Sequence, residues 1–386
     1  MGTESYVVSV AEVVKETDEA VSVVFDVPEA LKAEFAYLPG QFLTLAVPSE
    51  QTGLVARSYS LSSSPHQDRW QVTVKRTVGG YASNWICNNV QAGSQLRVIP
   101  PSGIFSPKEW ESDLLLFAGG SGITPVLSIA RTALHEHNNR VVLVYANRDE
   151  QSVIFASVLR ELQSQYPDRF VLIHWLESLQ GLPSRDSLRA FAANFPDFNS
   201  MVCGPAPFMD AVTGVLKDMG WPRSRRLQER FVSLGGNPFG DVPEMAEFTA
   251  AREAAADSSL EDAASSEGAP VAFGPVTVEA HLDDTDYTFD DWDGQQPLLD
   301  FLTSKGVEAP YSCKAGQCSA CACVVLEGDL AMNHNEVLEE DDLREGILLY
   351  SRDVAFAAAD EATATVVSVN GQAITAGRRG LAQIAL

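Results

Sequence analysis

"YSCKAGQCSACACVV" occupies residues 311–325 and holds four of the chain's six cysteines. Cys313, Cys318 and Cys321 follow the pattern C-x4-C-x2-C, a spacing that holds a 2Fe-2S cluster. A zinc site would favour two separated C-x2-C knuckles, and the chain has no second pair. The small residues and Gly316 of "CKAGQCSAC" allow a tight loop whose backbone N–H groups can approach cluster sulfurs. Cys323 lies two residues beyond Cys321, so a strand leaving the loop would turn both to one face. It reads as a buried packing thiol rather than a ligand. No cysteine follows it to complete a set of four.

Working outward from that loop, the strand candidates "PVTVEAHL" and "DYTFDDW" and the helical stretch "PLLDFLTSKG" lie upstream, and residues 274–386 are expected to form one domain. Before it, residues 241–270 are rich in Ala, Glu, Asp and Ser and poor in large apolar residues. That composition predicts a flexible acidic linker over 235–273, with transient helix around "EMAEFTAAREAAA". Residues 113–234 alternate apolar runs ("LLLFAG", "VVLVYAN", "FVLIHWL", "SMVCGP") with helical stretches ("TPVLSIARTALHEH", "VIFASVLRELQSQY"), the βαβ rhythm of a parallel sheet. Residues 1–105 carry short alternating runs such as "YVVSVAEVV", "QFLTLAV" and "RWQVTVKR", which predict an antiparallel barrel or sandwich. The expected domains are therefore 1–108 and 109–234, followed by the linker and 274–386.

The chain has 386 residues, 45% of them hydrophobic, enough for ordinary packed cores. No basic segment precedes an apolar run at the N-terminus, so no signal peptide is expected. The most apolar window, residues 114–130, is broken by Gly119, Gly120, Gly122 and Pro125 and is too short to span a bilayer. A soluble cytoplasmic protein with no membrane contact is expected. The formal net charge is −25, with a balance of −4 over residues 1–234, −7 over 235–273 and −14 over 274–386. Such a surface repels nucleic acid. Steering of a basic protein partner and plain solvation of an acidic surface account for it equally well.

Four stretches carry nucleotide chemistry. In "RSYSLSS" (57–63), Arg57 can neutralise a phosphate, Tyr59 can lie along an aromatic ring and Ser60 can hydrogen-bond a ring nitrogen, with Ser58 between them. In "GGYASNWI" (79–86), Gly79 and Gly80 precede a helix start at Tyr81, Ala82 and Ser83, an arrangement that offers N–H groups to a pyrophosphate. In "FAGGSGITPVLSI" (117–129), Gly119, Gly120 and Gly122 form a turn after a strand, and Thr124 with Pro125 opens a helix. In "MVCGPAPFM" (201–209), a strand ends in the turn Cys203-Gly204-Pro205.

Together these motifs resemble the ferredoxin–NADP reductase superfamily, and their order resembles the single-chain oxygenase reductases: flavin β-barrel, α/β nicotinamide domain, and C-terminal plant-type ferredoxin domain of β-grasp fold. "GGYASNWICN", "ANRDEQSVIF", "HWLESLQGLPS" and "ERFVSLGGNPF" are similar to the reductases of 3-ketosteroid 9α-hydroxylase systems. Reductases of phenylacetyl-CoA epoxidation share the domain order. The resemblance implies that NADH passes hydride to FAD, that FAD passes electrons singly to the 2Fe-2S cluster, and that a terminal oxygenase, of Rieske type, receives them. FAD is expected over FMN because the Gly79–Ser83 loop suits a pyrophosphate, and NADH is favoured over NADPH. Arg148 could meet a 2′-phosphate, whereas Asp149 would repel one. The resemblance also puts Ser60 and Cys203 beside the hydride path as catalytic residues and adds Lys75 to the cofactor-binding set. "EGILLYSRDV" resembles the ferredoxin stretch that supplies the fourth cluster ligand, but the residue there is Ser351. A flavin-only NADH oxidoreductase and a non-catalytic partner protein with a degenerate ferredoxin domain are the alternatives.

Overall fold

The computed structural model describes residues 4–49, 53–231, 238–239, 242, 276–282, 285–293, 296–307, 321–327, 330–332, 347–349, 354–356, 365–368 and 381–385. Cys313, Cys318, Ser351 and nearly all of the expected linker lie outside these residues.

The N-terminal strands are β1 (Tyr6–Thr17), β2 (Ala20–Asp26), β3 (Phe42–Ser49), β4 (Gly53–Ser60), β5 (Trp70–Lys75) and β6 (Gln95–Ser102). They form a six-stranded sheet in the order β4-β3-β6-β1-β2-β5. Just past the end of β4, Leu61 bridges Val72 of β5, which joins the two outer strands and closes the sheet into a barrel. Alternation fills the interior: Val8 and Val10, Val72 and Val74, and Leu96 and Val98 are all buried. One helix, α1 (Tyr81–Asn89), follows β5.

Next come β7 (Leu114–Gly119), α2 (Ile123–Glu136), β8 (Val141–Asn147), α3 (Ala156–Gln165), β9 (Phe170–Leu176), α4 (Glu177–Gln180), α5 (Arg185–Ala192), β10 (Asn199–Cys203), α6 (Ala206–Asp218) and β11 (Arg226–Glu229). The five strands are parallel in the order β11-β10-β7-β8-β9. Because β7 is buried on both faces, its sequence is an unbroken apolar run rather than an alternating one. Leu114, Leu116 and Ala118 pack into one core with α2 and α3, while Leu115 and Phe117 pack into a second with α5 and α6. The chain runs outward from β7 to β9 and then returns to β10 on the other side of β7. The carboxyl ends of β7 and β10 therefore flank a topological switch point, where open α/β sheets bind ligands.

The C-terminal strands are β12 (Val276–Leu282), β13 (Thr285–Trp292), β14 (Ala322–Glu327), β15 (Leu330–Met332), β16 (Ile347–Leu349), β17 (Val354–Phe356), β18 (Thr365–Ser368) and β19 (Leu381–Ala385). The β12–β13 hairpin is antiparallel and β12 pairs in parallel with β19, which continues antiparallel to β14. A helix, α7 (Leu298–Ser304), buries Leu298, Leu299, Phe301 and Leu302. Phe301 meets Phe289 edge-on with ring centroids 5.7 Å apart and Trp292 at 6.2 Å. A mixed sheet with a helix packed on its hairpin agrees with the β-grasp expectation. No helix among the described residues is long and apolar enough to cross a membrane.

Candidate functional site

On the barrel side, "RSYS" closes β4. Ser60 is buried, and Ser58 shares a hydroxyl–hydroxyl hydrogen bond of 2.9 Å with Thr44. Burial pushes the Tyr59 phenol well up, so it stays neutral, with the nearby Arg57 cation pulling the other way. The second motif begins at Gly79, with φ +72°, where an added Cβ would meet nothing within 4 Å. Gly80 then enters α1 without any side-chain cap. Ala82 and Ser83 are buried in the first turn, and the Ser83 hydroxyl accepts from the Thr77 N–H at 3.1 Å. A helix start with no side-chain cap, led in by a glycine loop open to solvent, suits a pyrophosphate.

On the α/β side, the two turns at the switch point are packed backbone to backbone. A Cβ at Gly122 would lie 2.2 Å from the Cys203 carbonyl oxygen, and one at Gly204 would lie 3.0 Å from the Gly119 Cα. Gly120 takes φ +52°, and its carbonyl accepts from the Tyr145 hydroxyl at 3.1 Å. Thr124 is buried, and its hydroxyl donates to the Ser121 carbonyl at 3.1 Å. Gly122 and Thr124 thus shape the turn from within, while Gly119, Gly120 and Pro205 line the open space beside it.

That space is a cavity of about 470 Å³, bordered by Lys75 of the barrel and by Asn147, Arg148, Trp175 and Phe208 of the α/β part. Asn147 is only 8% exposed, and its amide, beside the Tyr145 phenol, makes no hydrogen bond of full geometry. A buried amide with hydrogen-bonding capacity to spare in a ligand-sized cavity suits a polar nucleotide. Arg148 is not idle: its guanidinium donates to Glu19, at the β1–β2 turn of the barrel, at 2.5 Å. Lys75 Nζ lies 3.9 Å from the same carboxylate. Burial, then Arg148, pushes the Lys75 ammonium pKa down. Asp149 is also engaged, capping a 3₁₀ turn by accepting from the Ser152 N–H at 2.9 Å.

Cys203 is fully buried at the end of β10, and burial, then the Glu229 charge, pushes its thiol well up. The β10–β11 register sets Glu229 directly across from it. Glu229 keeps some accessible surface, yet its carboxyl sits in a desolvated place that pushes its pKa up to about 8. Sequence reading missed this residue. Its signal, an acid ending a strand just after "RRLQ", takes on meaning only through the pairing.

In the C-terminal unit, Cys321 is buried one residue before β14, and Cys323 is buried within it, facing Leu348 of β16 in register. Burial, then Cys321, pushes the Cys323 thiol well up, the state of a packing thiol. The donor set proposed for the cluster, three thiols and the Ser351 hydroxyl, rests on the sequence at Cys313, Cys318 and Ser351. The C-x4-C-x2-C spacing matches three of the four thiolates of a plant-type 2Fe-2S centre, and Ser351 stands where the fourth would be.

Family models agree with this order: an oxidoreductase FAD-binding domain over residues 7–106, an oxidoreductase NAD-binding domain over 116–214, and a 2Fe-2S iron-sulfur cluster binding domain over 280–350. The class is thus a flavin- and nicotinamide-binding oxidoreductase with its own iron–sulfur domain. The solved structure of phthalate dioxygenase reductase has the same fold, with a TM-score of 0.51 at 21% identity over 92% of this chain and 96% of that one. The chain is 48% identical over 349 residues to the ferredoxin reductase component of 3-ketosteroid-9-alpha-monooxygenase from Rhodococcus rhodochrous, covering 90% of this chain and 93% of that protein. It is 32% identical over 362 residues to a component of 1,2-phenylacetyl-CoA epoxidase from Escherichia coli, covering 90% and 94%. The chain belongs to the family of 3-ketosteroid-9-alpha-monooxygenase reductase components. It is an NAD(P)H-dependent flavin iron–sulfur oxidoreductase of the electron-transfer kind that serves oxygenases.

Proposed function

We propose that this chain is the cytoplasmic reductase of a 3-ketosteroid 9α-hydroxylase system, delivering electrons from NADH to a Rieske-type terminal oxygenase. The observation that carries this reading is the 48% identity to a ketosteroid monooxygenase reductase component along 90% of the chain. The domain limits proposed are 1–108, 109–234 and 274–386, with the acidic segment 235–273 between the last two.

When bound, the three cofactors supply hydride transfer, splitting of an electron pair, and one-electron delivery. The protein's part is placement. Ser58, Tyr59 and Ser60 would hold the flavin ring and its side chain, and Arg57 with Gly79–Ser83 its pyrophosphate. Lys75, Gly119, Gly120, Gly204 and Pro205 would hold the nicotinamide nucleotide, with Gly122 and Thr124 keeping their turn in shape. Ser60 and Cys203 would border the reacting atoms. Glu229, whose pKa burial raises to about 8, keeps a proton beside Cys203 more readily than an exposed glutamate would. Glu19 ties up Arg148, the cation best placed for a 2′-phosphate, and this supports NADH over NADPH. Cys313, Cys318, Cys321 and Ser351 would hold the cluster. The serine is the specific observation that keeps a flavin-only oxidoreductase as a second reading.

The test mixes this reductase, NADH and a ketosteroid 9α-oxygenase component. NADH-dependent hydroxylation of a 3-ketosteroid is the expected result. Failure to drive it, with NADH oxidation by a small acceptor intact, would overturn the steroid assignment.

A further inference from the structure

A second cluster of ligand-type side chains lies away from the nucleotide cavity, on the seam between barrel and parallel sheet. His66 sits in the 3₁₀ turn Pro65–Gln67 of the barrel, and His135 and Glu136 end α2. The seam is stitched here by hydrogen bonds. Ser128 donates to the Ser63 carbonyl at 2.5 Å, and Arg131 donates to the Ser62 carbonyl and to Gln67 Oε1, each at 3.3 Å. The two imidazoles stack across the seam with centroids 3.9 Å apart and planes within 8°.

The hydrogen-bond chain favours one tautomer of His66. The Ser64 hydroxyl donates to Gln67 Oε1 at 3.1 Å, which spends its proton. It is then left to accept from His66 Nε2, 3.4 Å away, which favours the tautomer with the ring hydrogen on Nε2 and a lone pair on Nδ1. That Nδ1 is buried and has no hydrogen-bond partner. It faces Glu136 Oε1 at 3.9 Å, too far for a hydrogen bond. A lone pair pointed at a carboxylate is repulsive unless a cation stands between them. Two bonds of about 2.0–2.2 Å separate a nitrogen and an oxygen donor by roughly 3.4 Å at a tetrahedral angle, so the pair, 3.9 Å apart, would have to close by about 0.5 Å on a tetrahedral ion. His135 is exposed, and its ring would turn out of the stack to direct a lone pair at the gap; the ligand atoms of all three residues lie within 4.8 Å of one another.

We propose that His66 Nδ1, His135 and Glu136 bind a zinc ion that bridges the barrel and the nucleotide domain. Two imidazoles and one carboxylate suit a borderline divalent ion rather than calcium or magnesium. Glu161 and Gln165 line the same hollow of about 220 Å³ and offer room for water as a further ligand. Arg131 opposes the ion from one side, while Glu161 offsets that charge. The site touches neither the nucleotide cavity nor the cysteine loop in sequence, so zinc would act on the seam and not on the chemistry.

The experiment titrates chelator-treated holoenzyme with zinc in competition with a chromophoric dye, alongside His135→Gln and Glu136→Gln. Both substitutions are at exposed positions, and flavin content confirms the fold of each variant. The wild type should take up one equivalent that each variant binds at least about tenfold more weakly. Zinc should also raise the wild-type thermal transition, and this rise should shrink in both variants. Cysteine-bound zinc would be common to all three proteins and cancels in the comparison. Equal affinity and stoichiometry in wild type and variants, or no uptake by the wild type at micromolar zinc, would overturn the proposal.

Discussion

Glu229 is the residue whose protonation the fold controls most visibly. Its pKa of about 8 lies above the 4.5 of a free glutamate, because burial disfavours the carboxylate. A raised pKa means that the folded state binds the proton more tightly than the unfolded chain. The stability this confers is fully present below about pH 4.5 and is lost as pH rises through about 8. Glu229→Gln cannot ionise, so its melting temperature should fall less than that of the wild type between about pH 5 and pH 8.5. Parallel melting curves across that range would mean that the carboxyl is not buried as described. Ser351 poses the other residue-scale question. If its oxygen completes the cluster, it is a harder and stronger donor than thiolate and makes reduction harder. Ser351→Cys should then raise the midpoint potential and the iron retained on purification, while hydride transfer from NADH to flavin stays unchanged. Identical iron content, potential and spectrum in both proteins would remove Ser351 from the ligand set.

At the scale of elements, the β7–α2 turn and the end of β10 act as one piece, since Gly122 abuts the Cys203 carbonyl. Gly122→Ala would force a methyl to within 2.2 Å of that oxygen, although its own φ of −60° tolerates alanine. The turn must move, at a cost of about 1–3 kcal/mol. A lower melting temperature together with a raised KM for NADH is expected, and an unchanged KM would separate the turn from nucleotide binding. These elements are the most legible in the sequence. The runs "LLLFAG", "VVLVYAN" and "FVLIHWL" coincide with β7, β8 and β9, because a strand buried on both faces is apolar throughout. β4 is not legible as a strand: its arginine, tyrosine and serines dilute the alternation, and it is the motif itself. α3 starts at Ala156 rather than Val153, because Phe155 adopts φ +63° and breaks the helical path. Pairings distant in sequence are not legible at all. Glu229 meets Cys203 only through the β10–β11 register, and Glu19 meets Arg148 across 129 positions.

For the whole molecule, charge and cofactor order matter most. Residues 274–386 carry a balance of −14, against −4 for residues 1–234, so the part that would meet an oxygenase is the most acidic. Electron delivery to a partner with a basic docking face should slow as salt rises from about 0.05 to 0.5 M, because the Debye length shrinks. NADH oxidation by a small neutral acceptor should change little, and equal salt sensitivity in both assays would argue against charge-guided docking. On this reading one chain holds both a flavin and a 2Fe-2S centre and moves electrons from NADH through both. Anaerobic titration of the purified protein with NADH, with iron, sulfide and flavin counted on the same sample, tests it most directly. About two irons and two sulfides per FAD are expected, with flavin and iron–sulfur absorption both bleached by NADH. Flavin bleaching alone, with no iron bound, would contradict it.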